Sequence, residues 1–240
     1  LCGYFRESFV DKYPLKYNSG LTILTADCKP YGEVQIGFCG RVLLNAFNQL
    51  EYGDANGDKQ LSEMGRAILD SWLQNGFTEK GFFHDFINYS KTPTYISDVH
   101  SIRQQSEAVY AILHYLNYER RRVGTDKNKR QQLKEWEGRM HKLLDNLVSL
   151  QKEDGHFARK FRDNGDDVDN SGGSTPPVTS TLVMGWKYFG DKRYLQAAKR
   201  TMDYVEKNIV SKSDYFSSTL DANCEDKEAA IASVTAAYYL

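Results

Sequence analysis

The chain has 240 residues, with 31 lysines and arginines against 32 aspartates and glutamates, for a formal net charge of −1. Nucleic-acid binders usually carry a clear basic excess, so the charge argues against that class, and no apolar run is long enough to span a bilayer. With 40% hydrophobic and 26% charged residues the composition is that of an ordinary globular protein.

Residues 1–33 mix tyrosine, proline and glycine around one short β-like run, Leu21-Thr22-Ile23-Leu24, and irregular structure is expected there. The span 34–50 predicts an apolar helix. Arg41 is its only charge, and Val34, Phe38, Val42, Leu43, Phe47 and Leu50 cover more than one side, so it should be buried on more than one side. After a Gly57-Asp58-Lys59 turn, 61–73 shows one stripe of Leu61, Met64, Ile68 and Trp72 opposite Glu63, Arg66 and Asp70. The pair then recurs. An apolar helix over 99–118 precedes a one-faced helix over 136–150, with Trp136, Met140, Leu143 and Leu147 on its stripe. A nearly charge-free helix over 178–189 precedes a Gly190-Asp191-Lys192 turn and a striped helix over 194–209. From 229 to 240 there is no charge, and a fourth apolar helix begins that the chain does not finish.

The one-faced helices carry an apolar residue followed by aspartate at matching places: Leu69-Asp70, Leu144-Asp145 and Met202-Asp203. A repeat longer than one helix and shorter than a domain reads as stacked supersecondary units, none able to bury its face alone. Apolar helices alternating with one-faced helices describe an all-α fold in which an inner layer is wrapped by an outer one. The inner-to-outer turns are short. The outer-to-inner connections, about 74–98, 151–175 and 210–225, are long, and long connections in compact domains are usually functional or disordered. Their many aromatic residues disfavour disorder. Alternation brings all three out at the N-termini of the inner helices, which is the predicted site face.

This alternation, with long loops on one face, resembles the six-hairpin glycosidase superfamily, the (α/α)6 toroids. Glycoside hydrolases, unsaturated glucuronyl hydrolases, polysaccharide lyases and N-acylglucosamine 2-epimerases share that architecture. The resemblance covers roughly 34–240 as a catalytic domain and matches no signature of one subfamily. It implies twelve helices against the seven counted, so the chain is expected to be a little over half a toroid.

Three acidic segments enter the site face. Asp98 precedes the second inner helix, where it could cap, and helical spacing sets His100, Arg103, Gln104 and Glu107 along one stripe. An Arg103–Glu107 pair at i, i+4 is the structural reading of those polar residues; sugar recognition is the functional one. The run 163–175, with Asp163, Asp166, Asp167 and Asp169, leads into the third inner helix, and 221–228, with Asp221, Glu225, Asp226 and Glu228, leads into the fourth. Such runs can be solvated, bind Ca²⁺ or favour a helix dipole. Glycoside hydrolysis requires two carboxyls flanking one bond. Asp98, Asp169, Glu225 and Asp226 are therefore the candidate acids and bases. His100, Arg103 and Glu107 would hold sugar hydroxyls or a uronate carboxylate, Arg103 bidentately; Phe82, Phe83, Tyr95 and Trp186 could stack on sugar rings. The expected partner is an oligo- or polysaccharide, without nucleic acid or membrane. A lyase or epimerase on the same scaffold and a non-catalytic glycan binder are the alternatives.

No metal or cofactor is expected. The four cysteines (Cys2, Cys28, Cys39, Cys224) and the histidines lack metal-ligand spacing, and no Walker loop or dinucleotide fingerprint occurs. The segment Asp54-Ala55-Asn56-Gly57-Asp58 starts like a calcium loop but has Lys59 where glycine is required. Asn88-Tyr89-Ser90 is formally a glycosylation acceptor.

Overall fold

A computed structural model describes residues 1–12, 14–20, 32–37, 41–215 and 227–240. The elements in chain order are α1 (Cys2–Ser8), β1 (Phe9–Lys12), β2 (Leu15–Asn18), β3 (Glu33–Gln35), α2 (Val42–Asn56), α3 (Lys59–Asn75), β4 (Phe86–Asn88), β5 (Tyr95–Ile96) and β6 (Val99–Ser101). They continue with α4 (Ile102–Arg120), α5 (Lys127–Ser149), β7 (Lys160–Arg162), β8 (Asp167–Asp169), α6 (Pro176–Phe189), α7 (Lys192–Val205) and α8 (Lys227–Tyr239).

The two layers are there. Helices α2, α4, α6 and α8 pack in succession as the inner layer, and α3, α5 and α7 pack in succession outside them. Burial explains the assignment. Helix α4 buries residues around most of its circumference, among them Arg103, Gln105, Val109, Ile112, Tyr115 and Leu116. Helix α5 buries only Leu133, Trp136, Met140, Leu143, Leu144 and Leu147, one stripe of a charged helix.

The short turns follow from local chemistry. Gly57 and Gly190 take positive φ (72° and 75°) after the ends of α2 and α6, a conformation that glycine adopts without a Cβ penalty. The next residue then caps the outer helix: Asp58 accepts from the Leu61 N–H, and Asp191 from the Arg193 N–H. Of the repeated aspartates, Asp70 accepts from the Tyr115 hydroxyl at 2.5 Å and Asp145 from the Tyr194 hydroxyl at 3.0 Å. Both tie an outer helix to a neighbour.

Several expectations need correction. Residues 1–33 are not irregular throughout, since α1 and the β1–β2 hairpin occupy the first part of the segment. The first two inner helices start later than their apolar pattern suggests, at Val42 and Ile102 instead of 34 and 99. Val34 and Ile36, each 1% exposed, alternate with a half-buried Gln35, and that two-residue period belongs to a strand end. The run 21–24, Phe38, Cys28, Cys39 and Cys224 lie outside the described residues.

Strands β3 and β6, which precede α2 and α4, each join a hairpin from the connection that follows. The sheets are β3–β4–β5 and β6–β7–β8, all antiparallel. Their registers match: Val34 opposes Ile87 as His100 opposes Phe161. Just beyond the ladders, the Ile36 N–H donates to the Asp85 carbonyl (3.3 Å) as the Ile102 N–H donates to the Arg159 carbonyl (3.2 Å). Sequence underlies this. Glu79-Lys80-Gly81-Phe82-Phe83 and Glu153-Asp154-Gly155-His156-Phe157 stand at matching positions, with φ of 98° at Gly81 and 97° at Gly155. Phe83 and Phe157 are fully buried, and their N–H groups donate to Gln105 (3.0 Å) and Thr175 (3.1 Å) of the next inner-helix segment.

Candidate functional site

At the long-loop end of the inner layer, α2, α4, α6 and α8 line a half-open cavity of about 390 Å³. Arg103 is its centre. Although the residue is only 4% exposed, its Nε donates to Glu107 Oε1 at 3.0 Å and its Nη2 to Glu228 Oε2 at 2.5 Å. Arg41, in a left-handed conformation just before α2, places Nη2 3.7 Å from the same Glu107 oxygen. Burial works against the Arg103 charge, but Glu107 and Glu228 outweigh it and hold the guanidinium pKa above the ordinary value. Charges thus alternate across three inner helices as Arg41, Glu107, Arg103 and Glu228. Ser106, Ser180, Thr181 and Thr235 add hydroxyls, while Leu44, Pro177, Ile231 and Ala232 supply apolar wall. Tyr110 also lines the cavity; its ring packs edge-on to His114 and its hydroxyl accepts from Tyr239 at 3.1 Å.

A second cluster of titratable groups lies in the loop layer. His100 is fully buried between two carboxylates, with Nδ1 3.0 Å from Asp85 Oδ1 and Nε2 3.3 Å from Asp163 Oδ1. Asp85 also accepts from the Ser101 N–H (2.6 Å) and from Gln105, and Asp163 accepts from the Thr78 hydroxyl at 2.6 Å. Burial opposes the His100 charge, yet the two carboxylates prevail and raise its pKa above the usual histidine value.

The predicted site residues separate into groups. Arg103 and Glu107 meet in the cavity, as their spacing implied. Asp98 caps no helix, because strand β6 intervenes; it is exposed and paired with Arg162 at 2.6 Å. Asp169 on β8 is paired with Arg159 and accepts from the Ser171 N–H. Burial would raise its pKa, but Ser171 and Arg159 hold the carboxyl below the usual range. Neither aspartate lines the cavity. His100 faces the loop layer, its ring between Phe82 and Phe161, and is closed to solvent. Phe82 (4% exposed) and Phe83 (0%) are core residues with no free face for a sugar. Tyr95 is exposed on β5 against Phe86. Trp186 sits near the C-terminal end of α6, toward the short turns, so it is remote from this mouth. Glu225 and Asp226 lie outside the described residues. Sequence reasoning missed Arg41, Tyr110 and Glu228 as cavity residues. Glu228 stood within a quoted acidic run, and its place one residue inside α8 was the available signal.

No helix among the described residues is long and apolar enough to cross a membrane, and no His, Cys, Asp and Glu group there could hold a metal ion.

The sequence matches no family model and no curated protein. Solved structures do match. One is a possible member of the GH105 family from Salmonella enterica serovar Paratyphi A, at a TM-score of 0.69 and 13% identity over 99% of this chain and 64% of that one. The chain has the fold of the α/α toroids. An unsaturated glucuronyl hydrolase specific for heparin matches at a TM-score of 0.60 and 10% identity, over 86% of this chain and 59% of that one. Cellobiose 2-epimerase from Bacillus thermoamylovorans matches at 0.53 and 18% identity, over 68% of this chain and 40% of that one. The α/α-toroid chain thus spans between 40% and 64% of the length of these three structures.

Proposed function

We propose that this chain belongs to a carbohydrate-active enzyme that hydrolyses a glycosidic bond in an oligo- or polysaccharide, with Glu107 and Glu228 as its working carboxylates. One observation carries the reading: two carboxylates from different inner helices meet on one buried guanidinium at the wall of a cavity. Hydrolysis of a glycoside uses two carboxyl groups on either side of the bond, about 5–9.5 Å apart according to the stereochemical course. Glu107 and Glu228 are bonded to the Nε and Nη2 of one guanidinium and so lie on the same wall. Glu107, which also faces Arg41, is the partner that carries negative charge toward a sugar or water. Glu228, in contact with solvent at the α8 side, is the second carboxylate of the pair. The flanking hydroxyls suit sugar hydroxyls, and the structural likeness to sugar-acting enzymes supports the class. Glu225 and Asp226, just ahead of α8 in sequence, are further candidates.

The test is a screen of the protein against oligosaccharides of varied linkage, with products resolved by chromatography. Glu107→Gln and Glu228→Gln should each lower kcat by about 10²–10⁴-fold, the usual share of general acid–base catalysis. Asp98→Asn and Asp169→Asn should stay within a few-fold of the parent. Full activity in both glutamine variants would sink the assignment. An epimerised disaccharide, or a product absorbing in the ultraviolet, would transfer the site to epimerase or lyase chemistry.

A further inference from the structure

The two sheets of the loop face share one plan, and one inward position in them differs in character. Val34 fills it in the first, 1% exposed and opposite Ile87. In the second, His100 fills it, fully buried and opposite Phe161. An apolar side chain therefore satisfies this position, and the buried histidine with its two carboxylates is additional to what the fold requires. Burying ionised groups is costly unless they are paired and hydrogen-bonded, so such a cluster calls for an explanation beyond packing.

The hydrogen bonding fixes its charge. An ionised carboxylate only accepts, and a neutral imidazole donates from one nitrogen alone. His100 faces a carboxylate oxygen from both nitrogens, at 3.0 Å and 3.3 Å. With both carboxyls ionised, both nitrogens carry hydrogen and the ring is a cation; burial raises the Asp85 pKa, against which the His100, Ser101 and Gln105 donors work. The two acceptors come from different connections. Asp85 belongs to the segment after α3, and Asp163 to the turn between β7 and β8. Asp163 further accepts from Thr78, in the same connection as Asp85. Asp85 meanwhile receives the N–H of Ser101, the residue ahead of α4, two positions before Arg103.

We propose that Asp85–His100–Asp163 is a proton-operated clasp, which fastens the connection after α3 and the β7–β8 turn to the start of α4 while the imidazole is charged and loosens the β7–β8 turn when the proton leaves. Loss of the proton sets a ring lone pair against a carboxylate. The Asp163 side yields, because its contact is the longer one and its side chain is 32% exposed, whereas the Asp85 side chain is 4% exposed and has two further donors. The other ionisable neighbour is His84, from the Asp85 connection, whose pKa is lowered by burial first and then by the His100 charge. It is therefore no competitor for the proton. Phe82 and Phe161 close the remaining sides with uncharged rings. Because the folded His100 pKa is raised, the ring's contribution is present below the ordinary histidine value of about 6.5 and is lost as pH rises through the folded value; burial also raises the Asp85 pKa, so the carboxylate half of the clasp is given up as pH falls through that value.

The experiment follows the His100 imidazole by NMR between pH 5 and 10. Alongside it, amide exchange of 76–85 and 160–169 is measured, corrected for intrinsic rates. The expected result is a His100 midpoint above the ordinary value, with protection of 160–169 falling at least tenfold through the same midpoint. Asp163→Asn, which keeps an acceptor for Thr78 and lies at the partly open end, should fold and move both midpoints to lower pH. His100→Gln should flatten the exchange profile; should it fail to fold, the Asp163→Asn comparison decides. A His100 midpoint at or below the ordinary value overturns the proposal. So does protection of 160–169 that is unchanged across the range, or that changes identically in Asp163→Asn. None of these readouts needs a substrate, so they stand apart from the test of the hydrolase reading.

Discussion

At the scale of single residues, Gly155 and Gly81 share a backbone conformation but face different neighbours. A Cβ on Gly155 would collide with the Arg200 carbonyl, which the outer helix α7 holds in place. A Cβ on Gly81 would meet only the flexible Lys142 side chain, 3.1 Å from its Cε. Gly81→Ala should cost about 1–2 kcal/mol, the strain of a positive φ for a residue with a Cβ. Gly155→Ala should cost several kcal/mol or prevent folding, since backbone must also move. Urea unfolding of both variants checks the order, and equal losses would contradict it. The Arg103–Glu107 pair was readable because i, i+4 spacing is a local property. The orientation of His100 depends on which way β6 faces, and no strand was expected there; Phe82 and Phe83 are core because the loop after Gly81 folds inward, which no local pattern marks. The matched Glu-x-Gly-x-Phe segments were legible too. They mark where both loop hairpins begin, each with its glycine at positive φ.

Among elements, the capped turns are the part sequence specifies most fully. Gly-Asp-Lys states a C-terminal glycine and an N-capping aspartate in consecutive letters, and both turns carry that geometry. The turn before α5 sets its glycine, Gly124 at φ 51°, two residues ahead of the cap instead of directly before it, and Asp126 accepts from the Asn128 and Lys129 N–H groups. Asp126→Ala should therefore cost about 0.5–2 kcal/mol, read as a lower thermal midpoint with the same circular dichroism baseline. An unchanged midpoint would show that the long buried stripe of α5 alone sets its start. Inner-helix starts were misplaced because apolar residues at 34, 36 and 99 fit either a helix or a strand end, and only pairing with the distant β4 and β7 separates the two.

For the whole molecule, burial falls off across the inner layer. Helix α8 leaves Ile231 62%, Val234 72% and Tyr238 86% exposed, a row of apolar surface beside the cavity. Exposed apolar patches promote association. The average mass of the chain by light scattering should therefore rise with concentration, and Val234→Lys with Tyr238→Lys should reduce that rise without changing the helical content. Scattering equal to the parent's would show that this face is not the cause. The layered architecture was legible because alternating burial is written into every helix. The cavity was legible only in part, because Arg41 and Glu228 belong to it through the packing of α2 against α4 and of α8 against α6, and no spacing in the chain encodes a contact that distant.

The staggered sheets bear on how such a molecule can be altered. Each takes one strand from ahead of an inner helix and two from the connection beyond the following outer helix. A helical hairpin is thus not a separable cassette. A graft cut at the boundaries of α4 and α5 would leave β6 facing a foreign edge and strand the hairpin it recognises. The transplantable piece is the overlapping one, running from β6 through β8, and chimaeras joined at those seams are the ones that keep both partners of every ladder.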